Sequence, residues 1–242
     1  MISLLVSPLE LHGEEIEVTG DAYRHLFRAR RLASGAELRV TDGAGRARWG
    51  RVGRIGPRTA EVRLAAEAPV QDPDLSVRLL VSVPRFQRAS WLVEKATELG
   101  AAEIRFLQSE RTVHPLTPGN LERLQRVAAA ALEQCHGSTL PRISGLHEFS
   151  EVPALIDGCG RRRFLDLAES GDEARNVATE PGLFPRDPVA LLVGPEGGWS
   201  AAERLQLAAW GCQADSLGRR VLRVETAAVV GLGSLLAAAS WR

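Results

Sequence analysis

The 242-residue chain nearly does without lysine: of its 30 Lys and Arg residues, all but Lys95 are arginine. Arginine pairs bidentately with phosphate and stacks on bases, so its use favours nucleic-acid contact. A compositional bias of the whole genome would also raise arginine, so its placement says more than its number. Net charge is lacking too, the formal value at neutral pH being zero. A chain that binds polyanions through bulk charge is therefore not expected; any such role needs local clustering. No apolar run approaches the length of a membrane span, and no membrane partner is expected. The start, MISLLVSPLELHGEE, does not open on basic residues and turns polar within ten residues, so no cleaved signal is expected. Cys135, Cys159 and Cys212 are far apart, odd in number and without a CxxC pair. Neither a disulfide framework nor a metal site is expected, and a reducing cytoplasm fits best.

What is present reads as a soluble globular protein long enough for a sizeable core, with 45% apolar and 25% charged residues. The charge is unevenly spread. Eleven arginines lie from Arg24 to Arg63, against Glu37, Asp42 and Glu61. The acidic balance lies elsewhere, partly in DLAESGDEA at 166–174.

The first seventy residues or so read as short strands around one helix. ISLLV at 2–6, ELRVTD at 37–42, ARWGRVGRI at 47–55 and TAEVRLA at 59–65 are the strand candidates, and Asp21 is the expected cap of a helix reaching His25 and Phe27. Strands this short and close predict a small barrel or curled sheet. APVQDPD at 68–74 reads as a linker. Two domains follow from this, at 1–70 and 74–242.

After the linker, strands and helices alternate. LSVRLLVSV (75–83), EIRFLQ (103–108), RFLDLA (163–168) and VALLVG (189–194) are apolar strands. RASWLVEKATELG (88–100) is helical, with Trp91, Leu92, Ala96 and Leu99 near one face and Gly100 as C-cap. NLERLQRVAAAALEQ (120–134) is an amphipathic helix that Asn120 is expected to cap; SAAERLQLAAWG (200–211) and an apolar C-terminal helix follow, with a short strand at ADSLG between them. Alternation with apolar strands predicts an α/β layer on a mostly parallel sheet.

Two stretches carry chemistry. Gly194-Pro195-Glu196-Gly197-Gly198 ends an apolar strand and precedes Ser200 and a helix. Bare backbone at the carboxyl end of a parallel strand is where such sheets bind ligands. It is neither GxGxxG nor a Walker loop. A carboxylate in the loop repels phosphate and suits a hydroxyl, an amine or a cation. The plainer reading is a tight turn in which Ser200 caps the helix and Glu203 completes a capping box; the two readings are compatible. The second stretch, SLGRRVLRVETAA at 216–228, sets Arg219, Arg220 and Arg223 before Glu225 and Thr226 at a helix start. The apolar face that follows is either core or a surface for a second subunit.

Together these stretches resemble the RsmE family of bacterial 16S ribosomal RNA uridine-N3 methyltransferases, of the SPOUT superfamily. The family's GPEGG, an aromatic and Ser match Gly194 to Ser200; its LGxRILRxETA matches Leu217 to Ala227; its KATELG matches Lys95 to Gly100. Its SER[ST] stands at Ser109 to Thr112, its EQ at Glu133-Gln134, and its HHLxxVLR corresponds to Arg24 through Arg31. The motifs run in the family's order from about residue 20 to the end. There are departures at Arg24, Arg30, Arg85, Phe86 and His136, positions where a change in RNA recognition would be felt.

The resemblance implies a PUA-like RNA-binding β-barrel ahead of a trefoil-knotted α/β SPOUT domain, working as a homodimer in the cytoplasm. It implies S-adenosyl-L-methionine as cofactor and N3-methyluridine in 16S rRNA of the small ribosomal subunit as product. The cofactor-binding residues so implied are Leu192, Gly194, Glu196, Gly197, Gly198, Ser216, Leu217, Gly218 and Leu222. Glu196 either faces ribose hydroxyls or braces its loop. For catalysis Arg223 leads, with Arg219 second, as groups that steady charge on the uracil carbonyls. Glu225 orients an arginine or favours the helix start. No general base stands out. His25, Arg28, Arg30, Arg31, Arg111 and Gln134 are the RNA-binding candidates. A non-catalytic RNA-binding protein, or a SPOUT enzyme acting on another base or ribose, are the alternatives.

Overall fold

A computed structural model describes residues 1–167 and 188–240. The acidic stretch expected at 166–174 lies, from residue 168 on, outside the described residues. The chain forms two compact units: Met1–Asp72 with Ala129–Leu140, and Pro73–Ala128 with Pro141–Arg242.

In the first unit the elements are β1 (Ser3–Leu5), α1 (Pro8–Leu11), β2 (Glu15–Val18), α2 (Gly20–Tyr23), β3 (Glu37–Thr41), β4 (Ala47–Ile55) and β5 (Ala60–Glu67). They build one sheet in the order β1-β3-β4-β5-β2. Only β1 with β3 is parallel. β4 bends at two register shifts, Arg48/Gly50 and Val52/Ile55, which curl the sheet. Gly50 is required there, since a Cβ would stand 2.7 Å from Val62 Cγ1. The core is Leu38, Val40, Val52 and Val62 with Leu26, Phe27 and Tyr23 beneath.

β3 is buried on both faces. Arg39, 1% exposed, donates to the Gly137 and Pro69 carbonyls, each at 3.0 Å, and to Ser138 Oγ at 2.6 Å. Thr41 Oγ1 donates to the Ser138 carbonyl at 3.1 Å. One of the eleven clustered arginines is thus a structural bolt. Asp21 is not the cap: Thr19 holds that position, and Asp21 pairs with Arg24 in the first turn. After Tyr23 the helix widens into one π-turn over Arg24–Ala29, with Arg30 N–H donating to the His25 carbonyl.

The second unit adds β6 (Val77–Ser82), α3 (Phe86–Leu99), β7 (Glu103–Gln108), α4 (Pro118–Cys135), β8 (Arg142–Glu148), α5 (Val152–Leu155), β9 (Arg161–Leu165), β10 (Val189–Val193), α6 (Ala201–Ala209), β11 (Gln213–Asp215) and α7 (Val224–Ser240). α4 begins in this unit, and its turns from Ala129 belong to the first. The strands make one all-parallel sheet, β11-β9-β10-β6-β7-β8. β10 is buried throughout, as a central parallel strand must be. α3 packs on α7, and α7 on β6 and β10. The other face carries Trp199 and Leu207 against Leu80, Leu192 and Phe164.

Gly100 ends α3 in the left-handed region at φ 85°, as expected. Asn120 does not cap α4. Pro118 takes the first helical position, and Thr117 Oγ1 accepts the Asn120 N–H at 3.2 Å. Trp91, expected near the buried face of α3, is 43% exposed, because Ala89, Leu92, Val93 and Ala96 make the buried stripe.

Candidate active site

From β6 the sheet grows one way through β7 and β8, the other through β10, β9 and β11. The segments leaving the carboxyl ends of β9, β10 and β11 meet around a cavity of about 270 Å³. The carboxyl ends of the strands are where open α/β sheets place ligands. Its walls are Leu165–Leu167, Val193–Trp199 and the stretch from Leu217 to Ala227, with Arg204 at the side.

Each wall is fixed locally. Trp199, 1% exposed, donates its Nε1–H to the Leu165 carbonyl at 3.0 Å and so ties the β10 loop to the end of β9. The loop turns tightly through the Gly198 N–H to Pro195 carbonyl bond of 2.8 Å, with Gly198 at φ 68°. Ser200 and Glu203 form the expected capping box. Glu203, buried at 4% exposure, also accepts the Glu110 N–H at 2.9 Å. Arg111 from the same segment donates to the Gly197 carbonyl at 2.7 Å. Ser216 Oγ accepts the Gly218 N–H at 3.2 Å, shaping the third wall, where Gly218 lies at φ 114°. Asp166 holds Arg204 with two contacts, 2.6 and 3.1 Å.

Seven of the nine expected cofactor residues line the cavity: Gly194, Glu196, Gly197, Gly198, Leu217, Gly218 and Leu222. Leu192 is fully buried inside β10, and Ser216 acts through its turn rather than at the surface. Of the three expected catalytic residues none lines the cavity; Arg220, from the same run, does. Arg219 and Arg223 are exposed. Glu225 is buried just behind Val224, with Arg88 Nε at 3.6 Å. Sequence reasoning missed Asp166, Arg204 and Arg88. Asp166 follows an apolar strand, the one signal that pointed its way. Phe86, a departure from the family pattern, lies under Arg123 with 4.6 Å from ring centroid to guanidinium carbon.

The other candidates lie in the first unit, Arg111 excepted. Arg28, Arg30 and Arg31 are exposed, as are His25 and Gln134. Arg28 donates to the Pro57 carbonyl at 2.8 Å, and Arg30 Nε donates to His25 Nε2 at 3.1 Å. His136, at φ 62°, has Nδ1 2.7 Å from Ser3 Oγ. Burial pushes its imidazolium form down, and the N-terminal amine, Arg39 and Arg30 push the same way. Burial raises the Glu133 carboxyl, which accepts the Leu5 N–H at 2.8 Å.

Residues 71–236 match the family described as RNA methyltransferase domain, and residues 18–65 the one described as RNA methyltransferase PUA domain. Among named relatives, ribosomal RNA small subunit methyltransferase E of Mycobacterium bovis is 30% identical, over 97% of this chain and 92% of its own. The chain belongs to the ribosomal RNA small subunit methyltransferase E family. Another family member, from Synechocystis, is 28% identical over 96% of this chain and 76% of its own. The fold agrees with that of a methyltransferase E from Neisseria gonorrhoeae whose crystal structure holds S-adenosyl methionine: TM-score 0.80, 23% identity, 97% and 96% of the two chains covered. An α/β RNA methyltransferase domain with a PUA domain ahead of it in sequence is the expected class. Like its family, this chain is an RNA methyltransferase. Among the described residues no helix is long and apolar enough to cross a membrane, and no group of His, Cys, Asp and Glu side chains could hold a metal ion.

Proposed function

We propose that this family member methylates uridine N3 in the 16S RNA of the small ribosomal subunit, with S-adenosylmethionine as methyl donor. The observation that carries the reading is the cavity at the ends of β9, β10 and β11, walled by glycine backbone and apolar side chains. These walls fit a ligand with an adenine, hydroxyls and a sulfonium cation. Backbone N–H and C=O groups of the glycine loop suit a base edge, Val193, Leu217, Leu222 and Val224 give it apolar faces, and Glu196 offers a carboxylate to hydroxyls or to the cation. When bound, that cofactor supplies an electrophilic methyl group and leaves as a neutral thioether.

The chain's own work is orientation and charge. Uracil N3–H must lose its proton to water before nitrogen takes the methyl, and the negative charge of that anion spreads to the flanking carbonyl oxygens. Arg223 and Arg219 are proposed to steady that charge, and Arg220 to close the cavity wall on the cofactor side. Glu225, with Arg88 Nε at 3.6 Å, is proposed as an orienting group. Arg28, Arg30, Arg31, His25, Gln134 and Arg111 are proposed RNA contacts. Residues 1–70 would serve as the RNA-binding module and 74–242 as the transferase. The half-open face of α7, where Val230 is 44% exposed, supports a homodimer, and three cysteines that form no disulfide with one another are in keeping with a cytoplasmic enzyme.

The test is transfer of a labelled methyl group to small-subunit particles and to bare 16S RNA, followed by nucleoside mass spectrometry. N3-methyluridine is the expected product. A different methylated nucleoside, or none, would sink the proposed target.

A further inference from the structure

Arg88 stands in the first turn of α3, between two carboxylates from different walls of the site. Its Nη1 lies 3.4 Å from Glu196 Oε1, and its Nε 3.6 Å from Glu225 Oε1. Neither contact is short. A guanidinium fork that commits to one carboxylate makes two parallel bonds at roughly 2.7–2.9 Å. Glu196 is at the cavity rim with 40% of its side chain exposed, whereas the Glu225 side chain is 9% exposed. Glu225 Oε2 is the one buried side-chain oxygen or nitrogen, among the described residues, with no hydrogen-bond partner. A buried acceptor without a donor is costly, and the Arg88 fork already lies 3.6 Å from the other oxygen of the same carboxylate. Arg88 is thus drawn toward Glu225 and held back by Glu196.

We propose that Arg88 is a positioning residue that exchanges partners: when a ligand bearing hydroxyl or amino groups engages Glu196, Arg88 closes on both oxygens of Glu225. The inference rests on the methyl-donor reading for the identity of that ligand. The physical logic is competition. A ligand donor on Glu196 takes up the lone pairs that hold Arg88 at the rim, so ligand binding favours the state with Glu225 satisfied. The result falls on the start of α7, which supplies Val224 and Ala227 to the cavity wall and directly follows Arg223. The arginine-rich loop from Arg219 to Arg223 is then set in place only after the cofactor site fills. RNA chemistry and cofactor occupancy become ordered events.

The test uses the full-length protein and S-adenosylhomocysteine, which carries the same hydroxyl and amino groups. Affinity is measured by calorimetry for Glu196→Gln, Glu225→Gln and the pair, with Arg88 present and again with Arg88→Ala. The expected result is a coupling of about threefold or more between the two glutamates when Arg88 is present, and independence without it. Effects that simply multiply in both backgrounds overturn the exchange, as does coupling that survives Arg88→Ala. Hydrogen exchange gives a second reading. Amides 225–228 of the wild type should gain protection when the ligand is added, and those of Arg88→Lys should not, because a lysine ammonium cannot fork onto one carboxylate. Equal gains overturn the proposal, and Arg88→Lys serves should Arg88→Ala fail to fold. Wild-type protein that binds no S-adenosylhomocysteine overturns the methyl-donor reading and the exchange with it. Binding with independent glutamates overturns the exchange alone.

Discussion

Trp199 occupies the space that a side chain on Gly194 would need: a Cβ there would stand 2.9 Å from the indole Cε2. The glycine at the start of the loop is there for the tryptophan, and the tryptophan ties the loop to β9 through the Leu165 carbonyl. Gly194→Ala should displace the indole and open the cavity. The expected cost is about 1–3 kcal/mol in stability, read by thermal melting, with a larger loss of S-adenosylmethionine affinity than of RNA affinity. An unchanged melting curve and unchanged affinity would show that the loop absorbs the methyl group.

Arg220 lines the cavity and Arg223 does not, so their alanine variants should fail differently. Arg220→Ala should raise KM for the cofactor with kcat nearly kept. Arg223→Ala should lower kcat about 10²-fold, the scale of one lost charge-stabilising donor, with cofactor affinity kept. Steady-state kinetics with each substrate varied in turn separates the two. Loss of cofactor affinity in Arg223→Ala would move it out of the catalytic list.

The clustered arginines divide by burial. Arg31→Ala should weaken RNA binding and lower the slope of log affinity against log salt by about one. Arg39→Ala should leave that slope alone. It strands the Gly137 and Pro69 carbonyls and Ser138 Oγ without their donor, and should cost about 2–4 kcal/mol, seen as a lower Tm. Filter binding across a salt series and calorimetry distinguish these outcomes.

The folded His136 titrates below its ordinary value of 6.5. The unfolded chain therefore takes up the proton first as pH falls. The neutral ring contributes stability that is fully present above about pH 6.5 and is lost as pH drops below it. His136→Asn keeps a residue tolerant of its φ of 62° and removes the proton. The variant should show a flatter melting temperature below about pH 6.5 than the wild type. Parallel curves for the two proteins would count against His136 as the source.

What could be read from the sequence was local. Ser200 and Glu203 lie three apart and signal a capping box, and that box is there. The turn after β10 was legible from its glycines, and Gly100 from its place after a periodic stretch. α4 was misread by one turn because Asn120 is a good cap residue in isolation, and Pro118 decided the start instead. β8 went unread since Gly145 breaks the alternation of RISGLHE. The missed site residues share another reason. Asp166 meets Arg204 across 38 positions, and Arg88 meets Glu196 across 108. No periodicity carries a pairing of that range, which exists only once the parallel sheet has brought strand ends together.

One further consequence concerns handling rather than chemistry. Lys95 sits on α3 between Glu94 Oε1 at 2.7 Å and Glu98 Oε1 at 2.8 Å, and these partners raise its pKa. No other side chain in the protein carries a primary amine. Once the N-terminal amine has been capped at lower pH, an amine-reactive fluorophore applied at high pH would therefore report from a single known side chain. α3 begins two residues before Arg88, so that dye would ride on the same helix as the proposed partner exchange. The rarity of lysine turns into a one-colour sensor, with no engineered cysteine needed.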